Sequence, residues 1–166
     1  MMHPPKKGKP VTVYTDGSCN PKFKVGGWAS LLISEKGEIT LQGGEMETTH
    51  NRMELLSVIK SLDYITKNFP DHGRILIHSD SQYVVRIPER MEKLERNNFL
   101  TRSKKPVKNI DLVKRIIGYT RLLDIEFIKV EAHQKSGKTE NYNRTVDRLS
   151  RKIVREYTAG GKNEFH

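Results

Sequence analysis

At Thr49 the spacing of apolar residues changes, and that change limits the folds open to the chain. Ahead of it, Val11 and Val13 alternate with Thr12 and Tyr14 at the two-residue period of a pleated strand, which Asp16-Gly17-Ser18 is expected to end as a turn. Two more strand-like runs, 28–33 and 39–42, flank the polar SEKGE turn and complete an antiparallel meander. Beyond Thr49, Leu55, Val58, Ile59, Leu62 and Ile65 recur at three and four residues, the single apolar stripe of a helix that stops near Asn68-Phe69-Pro70. A strand over 74–80 and a short helix over 81–87, ended by Pro88, come next. A helix over 107–123, a fifth strand over 125–130 and a polar loop over 131–142 precede the last amphipathic helix, marked by Val146, Leu149, Ile153, Val154 and Tyr157. The order βββαβαβα predicts an α/β fold: a mixed five-stranded sheet flanked by helices, its first three strands antiparallel and the others added through helical crossovers.

The 166 residues suffice for one domain with a real core, expected over 11–157. A Pro- and Lys-rich segment over 1–10 is expected to be disordered and the tail over 158–166 flexible. No run approaches the roughly 18 apolar residues of a membrane span, and the basic start lacks the apolar stretch of a secretory signal. Cys19 is the only cysteine, which excludes an internal disulfide and a cysteine-based zinc site and fits a reducing compartment. A cytoplasmic monomer with no membrane partner is expected. The net charge of +10 favours a polyanionic partner. Half of it lies in the 23 residues 86–108, where eight Lys or Arg stand against three Glu.

Four carboxylates carry the chemistry. Each has an ordinary structural explanation: Asp16 as a turn residue, Glu54 as a capping partner three residues after Asn51, Asp80 as a helix N-cap, Asp147 as a solvated face of the last helix. Their placement argues otherwise. Two sit at the ends of strands that can be adjacent, one in the first turns of a helix packed on that sheet, and one early in the final helix. Brought to one edge, four such groups would repel and raise one another's pKa values. Hard divalent cations relieve that cost, and an all-oxygen site with few fixed ligands suits Mg²⁺. Two ions about 4 Å apart can clamp the attacking and leaving oxygens of a phosphodiester displacement.

These residues also carry a resemblance. TDGSC (15–19), NRMELL (51–56), SDSQYV (79–84), KKPVKNIDL (104–112) and a late His133 followed by Asn143-x-x-x-Asp147 together resemble a type 1 ribonuclease H over nearly the whole chain. The resemblance implies a ribonuclease H-like fold and an endonuclease that hydrolyses the RNA strand of an RNA/DNA hybrid, leaving 5′-phosphate and 3′-hydroxyl ends. It implies that Asp16 bridges two Mg²⁺ ions, for which Mn²⁺ can substitute. Asp147 would hold the ion that activates water, Glu54 and Asp80 the ion near the leaving group, and His133 would assist proton transfer or product release. Asn51 and Gln82 would reach base edges in the wide minor groove, Thr49 would hold a DNA-strand phosphate, and little sequence preference is expected. The stretch 86–108 matches a protruding basic handle, with Lys104 and Lys105 as phosphate contacts and Phe99 as its aromatic. Read as a plain solvated hairpin, the same stretch would pair Glu89 with Lys93 and Glu92 with Arg96.

The chain also departs from the family pattern. NPKFKVGG replaces the usual glycine-rich run after Cys19, so the substrate contact of Asn20 carries over only weakly. The segment 133–147 is longer than in typical bacterial members, Asn143-Arg144-Thr145-Val146-Asp147 replaces Asn-Glu-x-Ala-Asp, and His50 replaces a common asparagine. A resolvase, transposase or integrase on a related sheet, and a catalytically dead hybrid-binding module, are the rival readings. NRMEL and DSQYV argue against the first, and the presence of all four acids against the second.

Overall fold

The computed structural model describes residues 8–131 and 138–159. Five strands form one sheet in the order β3-β2-β1-β4-β5. β1 (Val11–Asn20), β2 (Val25–Ser34) and β3 (Gly37–Glu45) make the antiparallel meander. β4 (Ile75–Ser79) and β5 (Ile125–Lys129) add in parallel on the other side of β1. The expected mixed sheet is present.

β1 is central because alternate residues of the β1–β2 pair are apolar on both faces. On one face Val11, Val13, Trp28, Leu32, Ile75 and Ile77 pack on α1 (His50–Asn68), whose buried stripe includes Met53, Leu55, Val58, Ile59, Leu62 and Ile65. α4 (Ile110–Leu122) continues that core through Leu112, Val113, Ile116 and Ile117. On the other face Tyr14, Ala29 and Leu31 meet Val146 of α5 (Lys138–Ala159). Between β4 and α4 run α2 (Gln82–Val85) and α3 (Ile87–Arg96). Among the described residues, no helix is long and apolar enough to cross a membrane.

Several boundaries differ from expectation, each for a local reason. β1 does not end at Asp16-Gly17; it stays paired with β2 as far as Asn20, opposite Val25. The turn falls instead at 20–25, where Asn20 Oδ1 accepts from the amides of Lys22 (3.0 Å) and Phe23 (3.2 Å) and Lys24 takes a φ of +54°. Pro88 does not end a helix but occupies the first turn of α3, where its missing amide costs nothing. α4 starts at Ile110 rather than 107, because Val107 N still donates to Phe99 O (2.9 Å) and Asn109 makes a left-handed cap. α5 starts at Lys138, inside the expected loop. Its far end reaches Ala159, and Thr158 Oγ1 donates to Val154 O at 2.9 Å. At the other terminus Gly73 N donates to Lys9 O at 2.7 Å, so the fold engages residues expected to belong to a disordered arm.

Candidate active site

Register places the first carboxylate. The parallel pairing of β1 with β4 ends at Tyr14 and His78, whereas the antiparallel pairing with β2 runs on. Asp16 lies two residues past the last β4 pair, on the Tyr14 face of the strand. Asp80 follows directly on the end of β4, which Val130 N pins by donating to Ser79 O at 3.0 Å. The intervening Gly17 lets α1 close on the sheet, since a Cβ there would lie 2.4 Å from Glu54 N. On the opposite face a Cβ at Gly27 would lie 2.4 Å from Ser150 O, so α5 comes equally close. The two helices and two strand ends thus converge around Asp16.

One carboxylate oxygen from each of Asp16, Glu54 and Asp80 can be chosen so that all three lie within 4.8 Å of one another. The ordinary explanations for the last two do not hold. α1 is capped by Thr49, whose Oγ1 accepts from Arg52 N at 3.2 Å, and α2 by Ser81, whose Oγ accepts from Val84 N at 3.2 Å. Glu54, only 1% exposed, caps neither helix; the backbone hydrogen bond that lowers its pKa comes from Gly17 of β1. Burial, then the charge of Glu54, pushes the Asp16 carboxyl up to about 9, against a lowering hydrogen bond from Ser150 and further raising by Asp80 and Asp147. The Glu54 carboxyl is raised mainly by burial, and Asp80 is raised by burial and then by Asp147, with Lys129 opposing. Three acids held this way cannot all ionise without a compensating cation.

Glu54 Oε1 lies 3.1 Å from His50 Nε2, and Glu54 Oε2 is buried with no hydrogen-bond partner among the described residues. An orphaned buried carboxylate oxygen beside two other acids fits a hard divalent cation. Asp147 stands apart from the three: half-exposed, it accepts from Arg151 Nε at 3.1 Å, yet its charge still raises Asp16 and Asp80. It sits in the tenth position of α5 rather than early in the helix. His133 lies outside the described residues.

Ser150 was not singled out by its sequence. Fully buried, its hydroxyl donates to Asp16 Oδ2 at 2.6 Å and lies 3.1 Å from Asp147 O. The available signal was a small polar residue on the stripe of Val146 and Ile153, where an apolar one would be expected. Arg52 was also missed: its guanidinium donates twice to Asp111 of α4 (3.1 and 2.9 Å) and lies 3.4 Å from Glu45 of β3.

Of the expected substrate residues, Thr49 and the exposed Asn51 open α1, one turn ahead of Glu54, and Gln82 opens α2, two residues after Asp80. The Gln82 amide, with its oxygen toward Arg86, accepts from Nη2 at 2.6 Å. Asn20 spends its side-chain oxygen on the turn described above. Lys104 and Lys105 are exposed on a tight hairpin closed by Thr101 N donating to Lys105 O at 2.7 Å. Phe99 packs on the core with Lys114 Nζ over its ring. Neither Glu89–Lys93 nor Glu92–Arg96 is among the ion pairs of the described residues; the pair at α3 runs across to α4, from Arg121 to Glu95.

A meander extended by two parallel strands, with an acidic cluster beside its central strand, is the architecture of the ribonuclease H-like nucleases. The RNase H family model matches residues 8–155. A ribonuclease HI of Xylella fastidiosa (strain 9a5c) is 40% identical over 144 residues, 86% of this chain and 91% of that protein. Among solved structures, LC9-RNase H1, a type 1 RNase H with the type 2 active-site motif, matches with a TM-score of 0.74 at 22% identity, covering 95% of this chain and 75% of that one. LC11-RNase H1, solved in complex with an RNA/DNA hybrid, matches at 0.64 and 17% identity, covering 89% and 99%. The chain belongs to the RNase H family, nucleases that act on RNA/DNA hybrids.

Proposed function

We propose that the protein is an endoribonuclease that hydrolyses the RNA strand of RNA/DNA hybrids with two Mg²⁺ ions, Mn²⁺ substituting, to give 5′-phosphate and 3′-hydroxyl ends. The observation that carries this reading is the triad of buried Asp16 and Glu54 and half-buried Asp80, with a Glu54 oxygen unpartnered among the described residues, at the edge of an RNase H sheet. These three side chains, with Asp147 released from Arg151, would hold the ions. Bound there, the metal lowers the pKa of water and stabilises charge on the phosphoryl oxygens. Ser150 keeps Asp16 oriented through its hydrogen bond to Oδ2. Thr49, Asn51 and Gln82 flank the acids in sequence and present polar groups to the duplex, while Lys104 and Lys105 meet phosphates of the DNA strand. His133 would assist proton transfer or product release. Because such contacts address backbone and minor groove, cleavage would be nearly independent of sequence.

The test is incubation of purified protein and Mg²⁺ with a hybrid labelled on each strand, beside duplex DNA and a four-way junction. Cutting of the RNA strand alone, reduced to background by Asp16→Asn, is expected. Cleavage of duplex DNA or the junction, or an Asp16→Asn variant as active as the wild type, would overturn the proposal.

A further inference from the structure

His50 is the first residue of α1 and Glu54 the fifth, so one helical turn stacks the imidazole on the carboxylate. The two differ sharply in exposure: the Glu54 side chain is 1% exposed and that of His50 64%. The histidine therefore covers the solvent side of a carboxylate that is otherwise enclosed. An ionised carboxylate can only accept, so with Glu54 ionised, as cation binding requires, the 3.1 Å contact is one in which Nε2 carries the hydrogen and donates it to Oε1. The other oxygen, Oε2, is buried with no hydrogen-bond partner among the described residues, and the Gly17 amide is the backbone group that eases the charge of the carboxylate. A carboxylate tethered by one oxygen is restricted in rotation about its last bond, and its free oxygen is held in one place.

We propose that His50 is a positioning residue for Glu54: by engaging Oε1 it selects Oε2 as the oxygen that meets a divalent cation, without itself being a ligand. The inference rests on the reading of the acidic triad as a cation site. Partners of this kind behind a ligating group set metal affinity by fixing ligand orientation, and their loss typically costs about 10- to 100-fold. A side-chain amide at this position retains a donor, so glutamine should replace most of what histidine supplies, whereas alanine should not.

Binding of Mn²⁺ alone, followed by loss of the free-ion electron paramagnetic resonance signal, separates the possibilities without turnover or substrate. Wild type, His50→Ala and His50→Gln are compared, with the thermal midpoint of each metal-free protein measured alongside. The expected result is Mn²⁺ binding about tenfold weaker in His50→Ala, most of the loss recovered in His50→Gln, and metal-free midpoints that do not track the order of affinities. Wild-type affinity in His50→Ala would overturn the positioning role. Equal weakness in both variants would overturn it too, since the imidazole would then be acting as a ligand. A wild type that binds no Mn²⁺ would instead remove the cation site itself, a failure visible before any variant is compared.

Discussion

Asp16 shows what burial does to a single acid. Its carboxyl is pushed from 3.8 to about 9, first by desolvation and then by Glu54, while the Ser150 hydroxyl resists. Between those two values the folded chain without metal retains a proton that the unfolded chain has lost. This contribution to stability is complete below about pH 4 and declines as the pH rises toward about 9, by up to about 1.4 kcal/mol per pH unit. Glu54 and Asp80 are raised by burial as well, so their contributions have the same sign. Urea unfolding of the metal-free protein should therefore show a falling midpoint from about pH 5 to about pH 8. Asp16→Asn, which cannot ionise, should flatten that fall, and added Mg²⁺ should restore stability most at the alkaline end. A midpoint that rises over the same interval would contradict the described electrostatics.

At the level of elements, packing from far along the chain overrules local propensity. Asp16-Gly17 has the chemistry of a turn, yet the strand runs through it because Gly17 is where α1 closes on the sheet. A stripe of apolar residues made α1 and α4 legible, since their period is fixed by the face they bury. Helix starts were less legible: a proline suits a first helical turn as well as a helix end, so Pro88 is ambiguous by itself, and the start at Ile110 depends on the bond from Val107 N to Phe99 O, which no local pattern encodes. The same contrast separates two glycines. Gly17→Ala would drive a methyl group into the Glu54 backbone, so we expect a loss of about 1–3 kcal/mol and, because Glu54 must move away from Asp16, a larger fall in hybrid cleavage than in stability. Gly118→Ala, on α4 with nothing among the described residues within 4 Å of the added carbon, should stabilise by about 0.5–1 kcal/mol and leave cleavage unchanged. Denaturation midpoints and cleavage rates of the two variants check both expectations, and equal effects at the two positions would refute the close approach of α1.

Across the whole molecule, topology turns separated residues into one site. The element order predicted the sheet, and the sheet brings Asp16, Glu54 and Asp80 together. It could not predict that Ser150 reaches Asp16, because that depends on the rotation of α5 about its own axis; the contact of Asp147 with Arg151, by contrast, is a four-residue pair within α5 that spacing alone allows. Charge is legible at this scale in amount but not in use. Of the net +10, half lies in residues 86–108, and there Lys104 and Lys105 are exposed on a closed hairpin while Arg90 stacks on Tyr83 and donates to its carbonyl. Cations tied to protein groups release few counterions from a duplex; free ones release about one for each phosphate they meet. If the two lysines grip the hybrid, replacing both with alanine should lower the slope of log affinity against log salt by about two. The comparison is best made with Asp16→Asn as the common background, so that the hybrid survives the titration. Affinity should fall by a similar factor whatever the sequence of the hybrid, because phosphates carry no base identity. An unchanged slope would mean that the tip does not touch the phosphates, and a loss confined to particular sequences would place these lysines at base edges instead.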